Sequence, residues 1–107
     1  MKQYVIHAFD GTDSEALSRR LAVRRAHFEN MSPYKAAGNF ILGGAMLDEE
    51  GKMIGSTVVM QFESDEALQS YLDSEPYVKH KVWLDVKIFP FKTATVLLPS
   101  EKYEWQT

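Results

Sequence analysis

FILGGAMLDEEGKMIGSTVVMQF, residues 40–62, holds two β-forming runs on either side of a polar loop, and what flanks this hairpin decides the fold. Phe40–Leu47 and Met53–Phe62 read as strands, the second centred on Thr57-Val58-Val59. The loop Asp48-Glu49-Glu50-Gly51-Lys52 is short and polar, which favours antiparallel pairing. Upstream, Gly38-Asn39 is a helix stop. Ahead of it, Leu17, Leu21, Phe28 and Met31 recur at helical spacing, which predicts a helix over about Ser14–Met31 with Asp13 or Ser14 as its cap. Ser32-Pro33 disturbs that pattern, because proline disfavours helix in the residue before it, so a second helical stretch or a loop is expected through Lys35 and Ala36. Tyr4–Phe9 is a first strand, closed by the turn Asp10-Gly11-Thr12.

Downstream, Ser64 or Asp65 caps a second helix reaching about Leu72, with Ala67, Leu68, Tyr71 and Leu72 on its buried side. A short turn follows at Pro76. Val82–Phe91 then reads as a fourth strand, with Val82, Leu84, Val86 and Ile88 alternating against Trp83, Asp85, Lys87 and Phe89. Thr93–Leu98 is expected to form a short fifth strand. The order β-α-β-β-α-β predicts an α+β, ferredoxin-like fold, one antiparallel sheet with two helices on one face. The other face keeps apolar residues and needs a cover. A two-fold dimer pairing two such sheets supplies one, and a tail folding back is the rival. A single domain over residues 1–98 is expected, with residues 99–107 as a tail in which Tyr103 and Trp105 would dock across a partner subunit.

Charge and composition exclude several function classes. The net charge is −3 and the 12 Lys and Arg form no run, which argues against nucleic acid and against an anionic membrane surface. Cysteine is absent, so disulfides, thiol nucleophiles and thiolate metal sites are all excluded. No apolar run approaches the ~20 residues of a membrane helix, and MKQYVIHAFDG turns polar too soon for a signal peptide; a cytoplasmic protein is expected. His7, His27 and His80 show no metal-ligand spacing, so neither metal nor cofactor is expected. Of these, His7 reads as a core or interface residue and His80, between Lys79 and Lys81, as surface. Gly43-Gly44 precedes no helix start and is no phosphate loop; in a strand it marks a bulge or the close approach of a ligand. Trp83, Phe89 and Tyr71 read as core or dimer surface, since no basic groove accompanies them.

The first helix is where polar groups intrude on the apolar pattern. At roughly 100° per residue, with Leu17 at zero, Leu21, Phe28 and Met31 fall within roughly 40° of it. Arg24 lies at about −20°, inside that stripe, while Arg20 and His27 lie along its edge at about −60° and −80°. An unpaired buried guanidinium is costly, so Arg24 is expected to meet an anion or a wet cavity. The rival is that Arg24 runs its stem along the surface to water and that His27 is a partly exposed helix residue. Imidazole titrates near neutrality, which suits His27 to general acid–base work.

Arg20–His27, with an arginine three residues before the histidine, resembles the first-helix motif of the YCII family. Gly55-Ser56-Thr57-Val58 with Gln61-Phe62, then Glu75-Pro76-Tyr77-Val78, then Asp85-Val86 with Pro90-Phe91, resemble further motifs of that family in the same order. Together they cover most of residues 4–92. The resemblance implies a small dimeric ferredoxin-like domain, similar in architecture to muconolactone isomerases and other dimeric α/β-barrel enzymes, with a histidine–carboxylate pair as active site. Carried onto this chain, the pair is His27 and Glu75, although the family usually has aspartate before Pro-Tyr and here the stem is one methylene longer. Glu75 would orient the imidazole as the carboxylate of a triad does. Arg24 would hold a substrate carboxylate or enolate, with Arg20, Asp10 and Ser56 as further substrate contacts. The reading is a small enzyme of isomerase or lyase type acting on a small organic anion. A ligand-binding or accessory dimer module, and a purely structural dimer, stand as alternatives.

Overall fold

The computed structural model describes residues 1–104. The chain runs β1 (Lys2–Asp10), α1 (Ala16–Ala36), β2 (Phe40–Leu47), β3 (Met53–Phe62), α2 (Asp65–Ser74), the single-turn α3 (Pro76–Lys79) and β4 (Trp83–Phe91). The strands form one sheet in the order β2-β3-β1-β4, every neighbouring pair antiparallel, with the helices on one side. This is the ferredoxin-like α+β fold.

The register shows why this sheet has an inside. Tyr4, Ile6 and Ala8 pair with Met60, Val58 and Ser56, and all six turn towards the helices and are buried. Phe62, Leu68, Tyr71, Leu72, Tyr77 and Trp83 complete the core beneath α1 and α2. Burying six to eight such side chains contributes on the order of 10 kcal/mol of hydrophobic driving force, at roughly 1.5–3 kcal/mol each. The loop between β2 and β3 closes on itself. Asp48 Oδ1 accepts from the backbone N–H groups of Glu50 and Lys52, both at 2.9 Å, and Gly51 takes the positive φ of 82° that the turn requires.

Several sequence expectations are corrected here. Helix α1 passes through Pro33 and ends at Ala36. Met31 and Tyr34, on either side of the proline, both pack into the core, so tertiary contacts outweigh the lost hydrogen bond. The helix stops in a Schellman arrangement: Asn39 N donates to Tyr34 O at 2.8 Å and Gly38 N to Lys35 O at 3.2 Å, with Gly38 at φ 85°. At its other end the cap position is Glu15, without a side-chain cap, rather than Asp13 or Ser14. Asp13 acts just upstream, its carboxylate accepting from Glu15 N and binding Arg19 at 2.8 Å. Of Ser64 and Asp65, Ser64 is the cap of α2, accepting from Ala67 N at 3.2 Å.

The expected alternation of β4 holds from Asp85 onward, with Val86 and Ile88 packed on the core and Asp85, Lys87 and Phe89 exposed, but a bulge at the pairing with Phe9 and Asp10 breaks it at the start of the strand. Asp85 faces Phe9 while Trp83 faces Asp10, so Leu84 is the extra residue and is exposed, and Trp83 turns into the core. Thr93–Leu98 forms no strand: among the described residues no element follows Phe91, and residues 92–104 are almost entirely exposed. Among the described residues the tail therefore leaves the second sheet face bare, with Phe9, Leu42, Phe89 and Phe91 between 39% and 66% exposed. Tyr103 accepts a hydrogen bond from Leu97 N at 2.8 Å within the tail, and Trp105 lies outside the described residues. No helix among the described residues is long and apolar enough to cross a membrane.

Candidate active site

The buried face of α1 is not the one its apolar residues point to. Leu21 and Phe28 are more than half exposed, whereas Ala16, Arg20, His27 and Met31 are buried. On the helical wheel the buried direction is turned by roughly 80° from Leu17, onto the edge where Arg20 and His27 lie. Arg24, expected within the buried stripe, is exposed, its guanidinium 5.3 Å from the Phe28 ring centroid. The buried arginine is Arg20.

Polar partners make that rotation tolerable. His27 Nδ1 lies 2.7 Å from Glu75 Oε1. Glu75 is fully buried at the junction of α2 and α3, where it ends one helix and caps the next. Its Oε1 also accepts from Tyr77 N at 3.1 Å, and its Oε2 accepts from the Tyr71 hydroxyl at 2.7 Å. Burial, then the charge of Glu75 and the hydrogen bond to it, push the Tyr71 phenol well above its ordinary pKa, so it stays a donor. With Tyr71 and Tyr77 N donating, the carboxylate accepts from His27 as well, which places the proton of a neutral imidazole on Nδ1 and leaves a lone pair on Nε2. The longer stem of Glu75 thus spans the distance to the histidine.

Tyr77 packs flat on the His27 ring, with centroids 4.0 Å apart and planes 8° apart, and Trp83 meets the same ring edge-on at 5.8 Å. Tyr77 also lies 5.0 Å from the Arg20 guanidinium carbon, which joins the histidine to a second buried cluster. There Arg20 Nη1 donates to both oxygens of Asp10 at 3.1 Å, Arg20 Nη2 to Ser56 Oγ at 2.8 Å, and Trp83 Nε1 to Ser56 Oγ at 3.2 Å. Burial raises the Asp10 pKa against the pull of Arg20, and raises that of Tyr77 against Arg20 and Arg24.

A cavity of about 430 Å³ opens between α1 and strands β2 and β3. Arg20, Arg24, His27, Ser56, Tyr77 and Gly43 line it, with Phe28, Met31, Phe40 and Lys35 along its length. Glu75 and Asp10 do not: the first stands behind His27, the second is spent on Arg20. A Cβ at Gly43 would press on the Phe40 ring at 3.0 Å, so the glycine keeps this wall open. The chain belongs to the YCII family. Its YCII-related domain matches residues 2–92. The chain is 38% identical over 95 residues to the protein YciI of Escherichia coli O6:H1, covering 83% of this chain and 95% of that one. It is 37% identical over 95 residues to an uncharacterized protein of Haemophilus influenzae, with the same coverage. Among solved structures it is similar to the 5-chloro-2-hydroxyhydroquinone dehydrochlorinase TftG of Burkholderia phenoliruptrix in complex with 2,5-dihydroxybenzoquinone, with a TM-score of 0.74 and 24% identity over 86% of this chain and 95% of that one.

In this YCII-family chain, sequence reasoning reached His27, Glu75, Arg20, Arg24 and Ser56, all now in or directly behind one cavity, and also Asp10, which lies outside it. It missed the roles of Tyr71, Tyr77 and Trp83, which read as core or as part of a motif. Tyr71 stands four residues before Glu75, a spacing that puts both on one helical face and could have revealed the pair. His7 sits on the bare sheet face, Nδ1 2.9 Å from Thr57 Oγ1, and His80 is exposed. Among the described residues no three His, Asp or Glu side chains are placed to hold a metal ion.

Proposed function

We propose that the chain is a small enzyme in which His27, oriented by Glu75, moves a proton on a small organic anion bound in the cavity. The supporting observation is the clamped imidazole: Nδ1 is tied to a fully buried carboxylate, and the ring lines the cavity. Nε2 removes a proton from a carbon next to a carbonyl, and the electron pair moves onto oxygen as an enolate. Returning the proton at another carbon completes an isomerisation; expelling a leaving group completes an elimination. Arg24 and Lys35 attract the anion, and among the described residues no Asp or Glu lines the cavity to oppose them.

TftG is a dehydrochlorinase solved with a dihydroxybenzoquinone, so 2,5-dihydroxybenzoquinone is a fitting first probe. In an NMR titration it is expected to shift the His27 and Tyr77 resonances. Turnover of chlorinated or isomerisable hydroxyquinones is expected to fall by about 10²–10⁴ in His27→Gln, with binding within a few-fold. Binding without turnover of any such compound would favour the non-catalytic binding module instead. Failure of every small anion to perturb His27 would defeat both readings.

We also propose that a second copy covers the bare sheet face. The apolar side chains there are unshielded by the chain's own tail, and face-to-face pairing of two identical sheets buries them symmetrically. Light scattering at micromolar concentration should give twice the 12.2 kDa chain mass; a monomer would refute the pairing.

A further inference from the structure

The hydrogen bonds at Ser56 determine the direction in which its hydroxyl acts. Ser56 Oγ receives one bond from Arg20 Nη2 at 2.8 Å and another from the Trp83 indole at 3.2 Å. Guanidinium and indole N–H groups donate and cannot accept. Both lone pairs of Oγ are therefore engaged, and what remains to the hydroxyl is its own proton. None of the hydrogen bonds formed by Ser56 uses that proton. Ser56 is 3% exposed and lines the cavity. Arg20 cannot swing away to relieve the arrangement, because its Nη1 is held by both oxygens of Asp10 in a pair whose side chains are 5% and 2% exposed. Accepting from a cation also polarises the hydroxyl towards donation.

We infer that Ser56 is a one-way hydrogen-bond donor to the ligand, so that the buried end of the cavity selects a deprotonated or carbonyl oxygen over an N–H group. This rests on reading the cavity as a site for a small organic anion, and adds which chemistry the anion presents there. The favoured class is a phenolate, an enolate or the carbonyl that becomes one. The Ser56 proton stays on Ser56; its bond strengthens as charge gathers on the ligand oxygen, which favours the enolate formed when His27 takes the carbon-bound proton. An amine or amide N–H at the same place meets a donor with a donor and leaves both unsatisfied.

The test uses 4-nitrophenol, whose phenolate absorbs visibly, and 4-nitroaniline, of the same shape but with N–H donors. Their affinities are measured for the wild type, Ser56→Ala and Ser56→Thr, with His27 ring signals followed by NMR to locate the probe. The phenolate is expected to bind the wild type at least about tenfold more tightly than nitroaniline, to lose about tenfold in Ser56→Ala, and to recover in Ser56→Thr. Nitroaniline gains nothing from the hydroxyl, so its binding should not weaken in Ser56→Ala. A phenolate that shifts the His27 signals yet binds Ser56→Ala as well as wild type overturns the role of Ser56 and leaves the anion site standing. A phenolate that never shifts the His27 signals overturns both. Ser56→Ala strands the Arg20 and Trp83 donors; if it fails to fold, equal affinity of wild type for the two probes still overturns the inference.

Discussion

Glu75 is a carboxylate with no exposed surface, and its neighbours explain how the fold accommodates it. Three donors from three places converge on two oxygens: the imidazole from α1, the phenol of Tyr71 from α2 and the backbone N–H of Tyr77 from α3. Removing the acceptor strands all three, which costs more than removing any one donor. Glu75→Ala should therefore destabilise by about 3–5 kcal/mol, and Tyr71→Phe by about 1–2 kcal/mol, measured by denaturant unfolding. Equal losses would show that the carboxylate does not integrate the site. At this scale sequence alone ranks residue types well and environments poorly. His27 and Glu75 are legible as an acid–base pair because imidazole and carboxylate chemistry is intrinsic to the side chains. The apolar pattern of α1 ranks Arg24 above Arg20 as the buried arginine, the reverse of the structure, because which of the two is buried depends on the position of Asp10 and Ser56, contributed by β1 and β3.

The element that decides the site is α1, and its rotation follows from the energetics of its polar face. Leu21 and Phe28 turn outward because Arg20 and His27 each find a buried partner, while Met31 and Tyr34 supply the apolar contact. A helical wheel weighs side chains by hydrophobicity and has no entry for a partner elsewhere in the chain, so the shift of the face was not legible. The passage through Pro33 has the same origin: local cost is outweighed by packing on both sides. Pro33→Ala restores a helical N–H without touching those contacts and should stabilise the protein by about 1–3 kcal/mol, read as a rise in Tm. A fall would show that the proline shapes the helix for another reason. In β2, Gly43→Val should push on the Phe40 ring, fill the cavity and weaken probe binding about tenfold while leaving the fold intact. Undiminished binding would place the ligand elsewhere.

Over the whole molecule, the radius of gyration of 16.1 Å exceeds the ~13 Å of a compact chain this length, and residues 92–104 form no helix or strand and are almost entirely exposed. Stability then rests on one sheet, its helices and a few ties between distant segments. One of these joins β1 to the start of α2: the Tyr4 hydroxyl donates to Asp65, which also meets Lys2 at 3.3 Å. That hydrogen bond, with the charge of Asp65, raises the Tyr4 pKa from 10.0 to about 12. A group whose folded pKa is raised contributes its stability in full below the unfolded value and loses it as pH climbs to the folded one. Stability to thermal unfolding should therefore fall between about pH 10 and pH 12 through this tie. Tyr4→Phe should flatten that part of the profile; an unaltered profile would remove Tyr4 from the account.

The order of elements, the antiparallel hairpin, a cap at Ser64 or Asp65, the glycine stop at Gly38 and the apolar character of the second sheet face are properties of the sequence by itself, since each depends on residues within a few positions or on simple periodicity. The tertiary structure alone decided the facing of α1, the bulge that buries Trp83 and exposes Leu84, the unpaired course of Thr93–Leu98, and the donor-only surroundings of Ser56. In each of these the outcome is a balance of burial against hydrogen-bonding partners brought from distant strands and helices, and that balance exists only once those segments meet.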